Sequence, residues 1–200
     1  MEGQVPSPSL SVSGTKGRLL PGLIDAHTHL VTDSGDSALD RVVGFSVQKI
    51  DEIVSCALSG QLAAGVTTVR DLGDQRFCVP DRRDRHLSTS VSAPAIIASG
   101  PPLRSKNGHC HFMGGKVSGT EEIIGAVSDR LNRGVDIIKV MASGGVNTPG
   151  TDVMRTQFTT AELQLIVDRL PQPVSRSLRK AHGNPAVEKA VAVGVDGIEH

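Results

Sequence analysis

Short apolar runs alternate with helix-like segments along most of this chain of 200 residues. The runs have the length of buried strands, and the segments between them repeat apolar residues at helical spacing. Parallel strands need a crossover connection, usually a helix, so this alternation predicts parallel βα units. We predict strands at 23–28, 66–71, 95–98 and 136–141, and the start of another at 197.

The helices between these strands carry their own boundary signals. The first is predicted at 47–64, and its buried face is predicted to consist of Ile50, Ile53, Val54, Ala57 and Leu58. Two later helices match the capping box, in which a Ser or Thr and a Glu three residues on bond each other's backbone amides. These pairs are Ser118 with Glu121 and Thr159 with Glu162. The last helix is predicted to be capped by Asn184, with Pro185 at its first position.

The composition and net charge give no indication that the chain binds nucleic acid or a membrane. The formal net charge is zero and the sequence pI is about 7.1, so nothing favours nucleic acid or an anionic membrane surface. No apolar run is long enough to span a membrane, and the arginine-rich stretch 81–85 is predicted to be a solvated loop. The three cysteines follow no disulfide or zinc spacing, and the first residues lack signal-peptide features. We therefore predict reduced thiols in a cytoplasmic protein.

Two histidines separated by one residue close the first predicted strand. Because side chains two apart on a strand point to the same face, His27 and His29 can bind one metal ion together. Pro21 and Gly22 interrupt any earlier element and set the start of the strand. This spacing predicts a metal site at the carboxyl end of the strand.

Other reactive side chains fall at the ends of later elements. Lys139 lies in the fourth strand among apolar neighbours, where a buried ammonium is costly unless it is modified or contacts a metal. His182 follows the segment where a fifth strand is due, and His200 closes the sixth. Active sites of (β/α) barrels lie at the carboxyl ends of their strands, so these positions predict one site.

Three loop features are predicted to support that site. Asp25 and Asp71 are predicted to hold loops by accepting hydrogen bonds from backbone amides. Ser143, Gly144 and Gly145 follow the fourth strand without the lysine of a phosphate-binding loop. This segment is therefore predicted to be an active-site loop.

Five motifs together resemble the amidohydrolase superfamily, in its imidazolonepropionase-like and prolidase-like branch. They occur in the order typical of that family and extend over residues 18–200. The motifs are LLPGLIDAHTHL, GVTTVRDLG, NGHCHFMGG, VDIIKVMASGGV and AHGNPAVEKAVAVGVDGIEH. The resemblance implies an α/β fold, the TIM-like (β/α)8 barrel of metal-dependent hydrolases. Here it would be incomplete, with about six of the eight βα units.

The resemblance also implies a set of residue roles. One or two divalent metal ions, most often zinc in this family, would activate a water molecule that attacks an amide, cyclic amide or Xaa-Pro peptide bond. His27 and His29 would bind the more buried ion, Lys139 would bridge both ions as a carbamate formed with carbon dioxide, and His200 would bind the second ion. His109, His111 and His182 would contact a small amide or dipeptide substrate. The proton-shuttling Asp follows the eighth strand in the family, and we expect it to lie outside these residues.

The fifth strand departs from the family pattern. Segment 174–182 is too cationic for an ordinary buried strand, and counting back from His200 places Lys180 where the family has a metal-binding histidine. A change of reading frame over Ser175–Lys180 is one hypothesis for this stretch. The alternative to an active hydrolase is therefore a non-catalytic, shortened or degenerate remnant that binds metal weakly at most.

Both ends of the chain are expected to be shorter than in the family. Residues 1–17 are predicted to be disordered or a remnant of a small β-rich domain, and 18–200 to form the partial barrel. An incomplete barrel leaves strand edges uncovered, so we expect association through those edges, including homo-oligomers.

Overall fold

The computed structural model describes residues 18, 20–87, 92–146, 148–170, 176–181 and 183–199, with the backbone alone for 87 and 176–180. This part of the chain has six strands and six α-helices, with two helices between the first two strands and one between each later pair. The strands are β1 (Leu23–Thr28), β2 (Val66–Asp71), β3 (Ala95–Ala98), β4 (Ile137–Met141), β5 (Arg176–Lys180) and β6 (Gly197–Glu199). The helices are α1 (Ala38–Arg41), α2 (Val47–Ala63), α3 (Cys78–Leu87), α4 (Gly119–Asn132), α5 (Thr160–Asp168) and α6 (Asn184–Ala192).

The strands form two parallel sheets, ordered β1-β2-β3 and β4-β5-β6. A short extended segment at Leu103, after β3, pairs with β4 and so joins the two sheets. The Leu103 amide donates to the Lys139 carbonyl, and the Leu103 carbonyl accepts from the Met141 amide, both at 2.8 Å. At the start of β4, the Asp136 amide donates to the Ala98 carbonyl at 2.9 Å. These bonds align β3 with β4, so the ends of both sheets face the same side of the molecule.

Helices cover each sheet with a separate apolar core. On the first sheet, α2 buries Ile50, Val54 and Leu58 against a cluster that includes Val69 and Ile96. Three of the five residues of the predicted apolar face are therefore buried, and the other two, Ile53 and Ala57, are partly buried. On the second sheet, α4 and α5 pack on β4, and the buried residues include Ile123, Val127, Ile138, Val140, Leu163 and Ile166.

The prediction of a solvated loop at 81–85 is wrong, because this stretch lies in α3. The helix is fixed at its start by Asp74, whose Oδ2 accepts a hydrogen bond from the Val79 amide at 2.7 Å. Its arginines reach carboxylates on neighbouring elements: Arg82 and Arg85 pair with Asp51 of α2. The charged residues therefore tie the helix to its surroundings, which a reading of local polarity alone could not show.

One predicted capping box is present and the other is not. Thr159 and Glu162 form both reciprocal bonds at the start of α5. Ser118 makes no side-chain cap bond, and its amide instead donates to Glu122 Oε2 at 2.9 Å. Gly119, the first residue of α4, has a φ of 77° and turns the chain there, so Glu122 rather than Glu121 reaches back.

Two further boundaries refine the predictions. The N-cap of α6 is Gly183 rather than Asn184, which is already the first helical residue. The cationic segment Arg176–Lys180 forms a strand despite its composition, paired with β4 on one side and β6 on the other.

Within the described residues the strands do not close into a barrel, and the eight-stranded count stays a prediction. None of the described helices is long and apolar enough to cross a membrane.

Candidate metal centre

His27 and His29 lie at the carboxyl end of β1, and the structure brings their rings together. The ring centroids are 5.5 Å apart and the ring planes make an angle of 73°. Asp25 holds the preceding backbone, since its Oδ1 accepts from the His27 amide at 3.2 Å and its Oδ2 from the Gln61 side chain at 2.7 Å. The predicted role of Asp25 as an acceptor for a backbone amide is confirmed.

Each of the two imidazoles uses Nδ1 for a contact with an oxygen atom. His29 Nδ1 lies 3.0 Å from the Gly73 carbonyl oxygen, which can only accept, so Nδ1 carries the proton. His27 Nδ1 lies 2.9 Å from Oε2 of the Glu199 carboxylate. In a neutral imidazole this arrangement makes Nε2 the nitrogen with a lone pair, the form in which histidine binds metals.

Glu199 also pairs with an arginine. Arg70 Nη2 donates to Glu199 Oε1 at 2.6 Å, and Arg70 Nε donates to the Ala26 carbonyl at 2.6 Å. Both side chains of the ion pair are largely removed from solvent, which weakens screening by salt. These contacts link β6 to β1 and β2 through side chains and fix the orientation of the His27 ring.

Asp71 is fully buried at the end of β2, and its two oxygens hold two loops. Oδ2 accepts from the Leu30 amide at 2.8 Å, and Oδ1 accepts from the Gly73 amide at 3.2 Å, which confirms the predicted loop-holding role. Burial raises the pKa of Asp71 to about 7, although the two hydrogen bonds act to lower it. Burial, together with the neighbouring Asp71 charge, raises the pKa of Asp74 well above its usual range.

Lys139 stands in the middle of β4, a strand whose five residues are all buried. Its exposed fraction is 1%, and the flanking Ile138 and Val140 belong to the core beneath the helices. The burial predicted from the sequence is therefore confirmed. A lysine at this depth needs compensation for its charge, and conversion of a neutral amine to a carbamate would provide an anionic ligand with two oxygens.

The structure places the two loop histidines in different environments. His109 is buried, with Nδ1 2.7 Å from Thr148 Oγ1. A Cβ on Gly145 would lie 2.3 Å from the His109 ring, so the loop after β4 packs its backbone on this ring. His111 is exposed on a short 3-10 helix, and its carbonyl oxygen accepts from Arg104. The predicted substrate contacts of both histidines stay predictions.

Open cavities lie beside these residues. One of about 580 Å³ has His27, His29, Leu30, Thr32 and Gln61 in its wall. Lys139, His109 and His111 do not line it. Another, of about 390 Å³, lies between the loops that follow β3 and β4, and Lys106, Arg155 and Gln157 are among its lining residues.

Two residues of the predicted site, the substrate contact His182 and the metal ligand His200, lie outside the described residues. The register of β5 places Lys180 level with Met141 of β4 and Glu199 of β6, at the carboxyl end of the sheet. Within the described ranges, no group of three or more His, Cys, Asp and Glu residues is arranged to hold a metal. The histidine pair is thus the part of the predicted centre that the structure assembles.

Sequence reasoning missed three partners of the predicted site residues: Gly73 for His29, Glu199 for His27 and Thr148 for His109. Gly73 and Glu199 lie inside quoted motifs, but the contacts span 44 and 172 positions along the chain. Periodicity and spacing carry no signal over such separations.

Comparison with known proteins gives a consistent set of relatives. The sequence profile of the Amidohydrolase family matches residues 18–200. A prolidase crystallised with N-methylphosphonate-L-proline is 29% identical, with a TM-score of 0.78 over 90% of this chain and 47% of its own. A Xaa-Pro dipeptidase with bound methionine is 27% identical, with a TM-score of 0.80 over 90% of this chain and 48% of its own. Ochratoxinase of Aspergillus niger is 26% identical over 91% of this chain and 43% of its own length. The chain therefore spans less than half the length of these relatives.

Proposed function

The chain belongs to the amidohydrolase family, and from this we propose that it hydrolyses a C–N bond of a small amide or dipeptide with the help of bound divalent metal. The observation that carries the proposal is the histidine pair at the end of β1. Both rings engage Nδ1 with an oxygen atom, and this makes Nε2 the metal-binding nitrogen in each. The match over residues 18–200 supports placing this pair in the family's metal site.

The donor set fits a divalent metal such as zinc. Imidazole nitrogens are zinc ligands, and a carboxylated Lys139 would add the oxygen ligands that a buried ammonium cannot offer. We propose that His27, His29 and Lys139 hold the first ion and that Lys139 and His200 hold the second. When bound, the metal would lower the pKa of a water molecule and polarise the scissile carbonyl.

The protein's own groups orient the ligands and the substrate. Glu199 and the Gly73 carbonyl hold the protons on Nδ1 of His27 and His29, so neither ring has to change tautomer before it binds. We propose that His109, His111 and His182 contact the substrate. His109 is held for this role by Thr148 and by the backbone of Gly145.

The proposed substrates are Xaa-Pro dipeptides and related N-acyl amino acids. The support comes from the prolidase and the Xaa-Pro dipeptidase among the relatives.

We also propose a cytoplasmic location, in keeping with the three free cysteines. Leu23 and Ile24 of β1 are 62% and 69% exposed, and we propose that this edge mediates association, including between copies of the chain.

A second candidate rests on the position of Lys180. A protonated lysine at the carboxyl end of β5 would repel a metal ion rather than bind it. On this account the chain keeps the family fold and binds at most one metal, without turnover. The two candidates differ in whether the purified chain hydrolyses any substrate.

The test is hydrolysis of a panel of Xaa-Pro dipeptides and N-acyl amino acids, with zinc and bicarbonate supplied. We expect the amino acid to be released. Chelation of zinc should stop this release, and adding zinc should restore it. The variant His27→Gln/His29→Gln is expected to lose this activity, while a matched control, His86→Gln on α3, retains it. Absence of turnover across the panel in protein that binds zinc would favour the non-catalytic candidate.

A further inference from the structure

We infer that Asp71 is a positioning residue for His29: it holds both the backbone that carries this histidine and the backbone that carries the acceptor of its Nδ1 proton. The inference rests on the proposed function, because it treats His29 as a metal ligand. Asp71 bonds two backbone amides and is not a lining residue of the cavity beside His29. It acts through two peptide groups.

The first contact fixes the ligand's own backbone. Asp71 Oδ2 accepts from the Leu30 amide at 2.8 Å, and this amide belongs to the peptide group that follows His29. The same peptide presents its carbonyl to the Thr32 amide and hydroxyl at 3.1 and 2.8 Å. The turn after β1 is thus bonded on both sides of the His29–Leu30 peptide.

The second contact fixes the acceptor. Asp71 Oδ1 accepts from the Gly73 amide at 3.2 Å, and the Gly73 carbonyl in turn accepts from His29 Nδ1 at 3.0 Å. A Cβ at position 73 would lie 2.8 Å from Met113 Sδ and 3.2 Å from His29 Cε1. The glycine therefore allows the close approach of backbone to ring that this hydrogen bond needs.

Together the two contacts select a tautomer. One buried carboxylate sets the distance between the His29 backbone and the Gly73 carbonyl, and that carbonyl requires a proton on Nδ1. The lone pair is then on Nε2. An asparagine at position 71 could accept only one of the two amide protons, because the other end of its side chain is a donor.

The test compares Asp71→Asn with Asp74→Asn in metal-free and zinc-titrated protein. Asp74 is an equally buried carboxyl that accepts from the Val79 amide of α3, so it controls for loss of a buried acid. Histidine tautomers are read from long-range ¹H–¹⁵N spectra of the metal-free protein, with the His29 signals assigned by their loss in His29→Gln. Zinc affinity is measured by competition with a chelating dye.

In Asp71→Asn we expect His29 to populate the tautomer protonated on Nε2 and zinc affinity to fall by about 10- to 100-fold. Asp74→Asn should keep the Nδ1-protonated form and an affinity within about twofold of the parent protein. If Asp71→Asn fails to fold, Gly73→Ala carries the same test, since it moves the carbonyl and leaves Asp71 in place. An unchanged His29 tautomer in both Asp71→Asn and Gly73→Ala would overturn the inference. Equal losses of zinc affinity in Asp71→Asn and Asp74→Asn would also overturn it. Failure of the parent protein to bind zinc would count against the proposed function alone, because the tautomer is read without metal.

Discussion

Replacing Lys139 with methionine is expected to lower turnover by about 1000-fold or more, which corresponds to about 4 kcal/mol of lost transition-state stabilisation. Methionine has a similar length and no charge, so it suits a position that is 1% exposed between Ile138 and Val140. The fold should therefore persist while the amine that forms the proposed carbamate is lost. Turnover in the parent protein should also rise when bicarbonate is added to carbon dioxide-depleted samples.

The control for this substitution is Lys116→Met, since Lys116 is exposed and lies outside the strands. It should leave both turnover and its bicarbonate dependence unchanged. A ¹³C signal from a carbamate, present with labelled bicarbonate in the parent protein and absent in Lys139→Met, would identify the modified residue directly. Full turnover in Lys139→Met would show that the proposed bridging carbamate is not needed.

Replacing Arg130 with methionine is expected to destabilise the protein by about 3 kcal/mol. This arginine of α4 is 4% exposed. Its Nε and Nη2 donate to the Pro101 carbonyl at 2.9 and 2.6 Å, and its Nη1 donates to the Ala126 carbonyl at 2.8 Å. Burial lowers the pKa of Arg130 to about 10. Without the guanidinium, the Pro101 carbonyl loses both of these donors in the buried turn after β3.

Arg133 provides a matched control in the same helix region. Its guanidinium lies 4.9 Å from the centroid of the Phe77 ring, and the Arg130 guanidinium lies 5.9 Å from the same ring. The Arg133 side chain is half exposed, however, and it makes a long ion pair of 3.9 Å to Asp81. Arg133→Met should cost about 1 kcal/mol or less in urea unfolding. Equal losses in the two variants would contradict the role assigned to the Pro101 contact.

The sequence predicted the elements whose residues follow a simple period. The apolar runs of β1, β2, β3 and β4 and the buried face of α2 were predictable because burial on a regular element repeats every two or every three to four residues. Helix α3 was missed because its arginines pair with a carboxylate on a distant part of the chain, which local polarity does not show. The capping residue of α4 was predicted as Glu121 instead of Glu122, because the spacing of residues in the sequence does not reveal the positive φ of Gly119.

The reactive residues of the candidate site could be predicted from the sequence, but the hydrogen-bond partners that orient them could not. The spacing of His27 and His29 and the apolar neighbours of Lys139 are local features, and both predictions of position hold in the structure. The partners that orient the histidines come from β6 and from the loop after β2, which only the folded chain brings near β1. The roles of His109 and His111 depend on loops whose shape follows from contacts such as His109 with Thr148.

The metal content of the purified, monodisperse protein in bicarbonate buffer, measured by plasma mass spectrometry, tests the central claim most directly. The account predicts between about one and about two divalent ions per chain, with most of this content lost in His27→Gln/His29→Gln. A ratio near zero in folded parent protein supplied with zinc would contradict it, because the histidine pair would then not be a metal site.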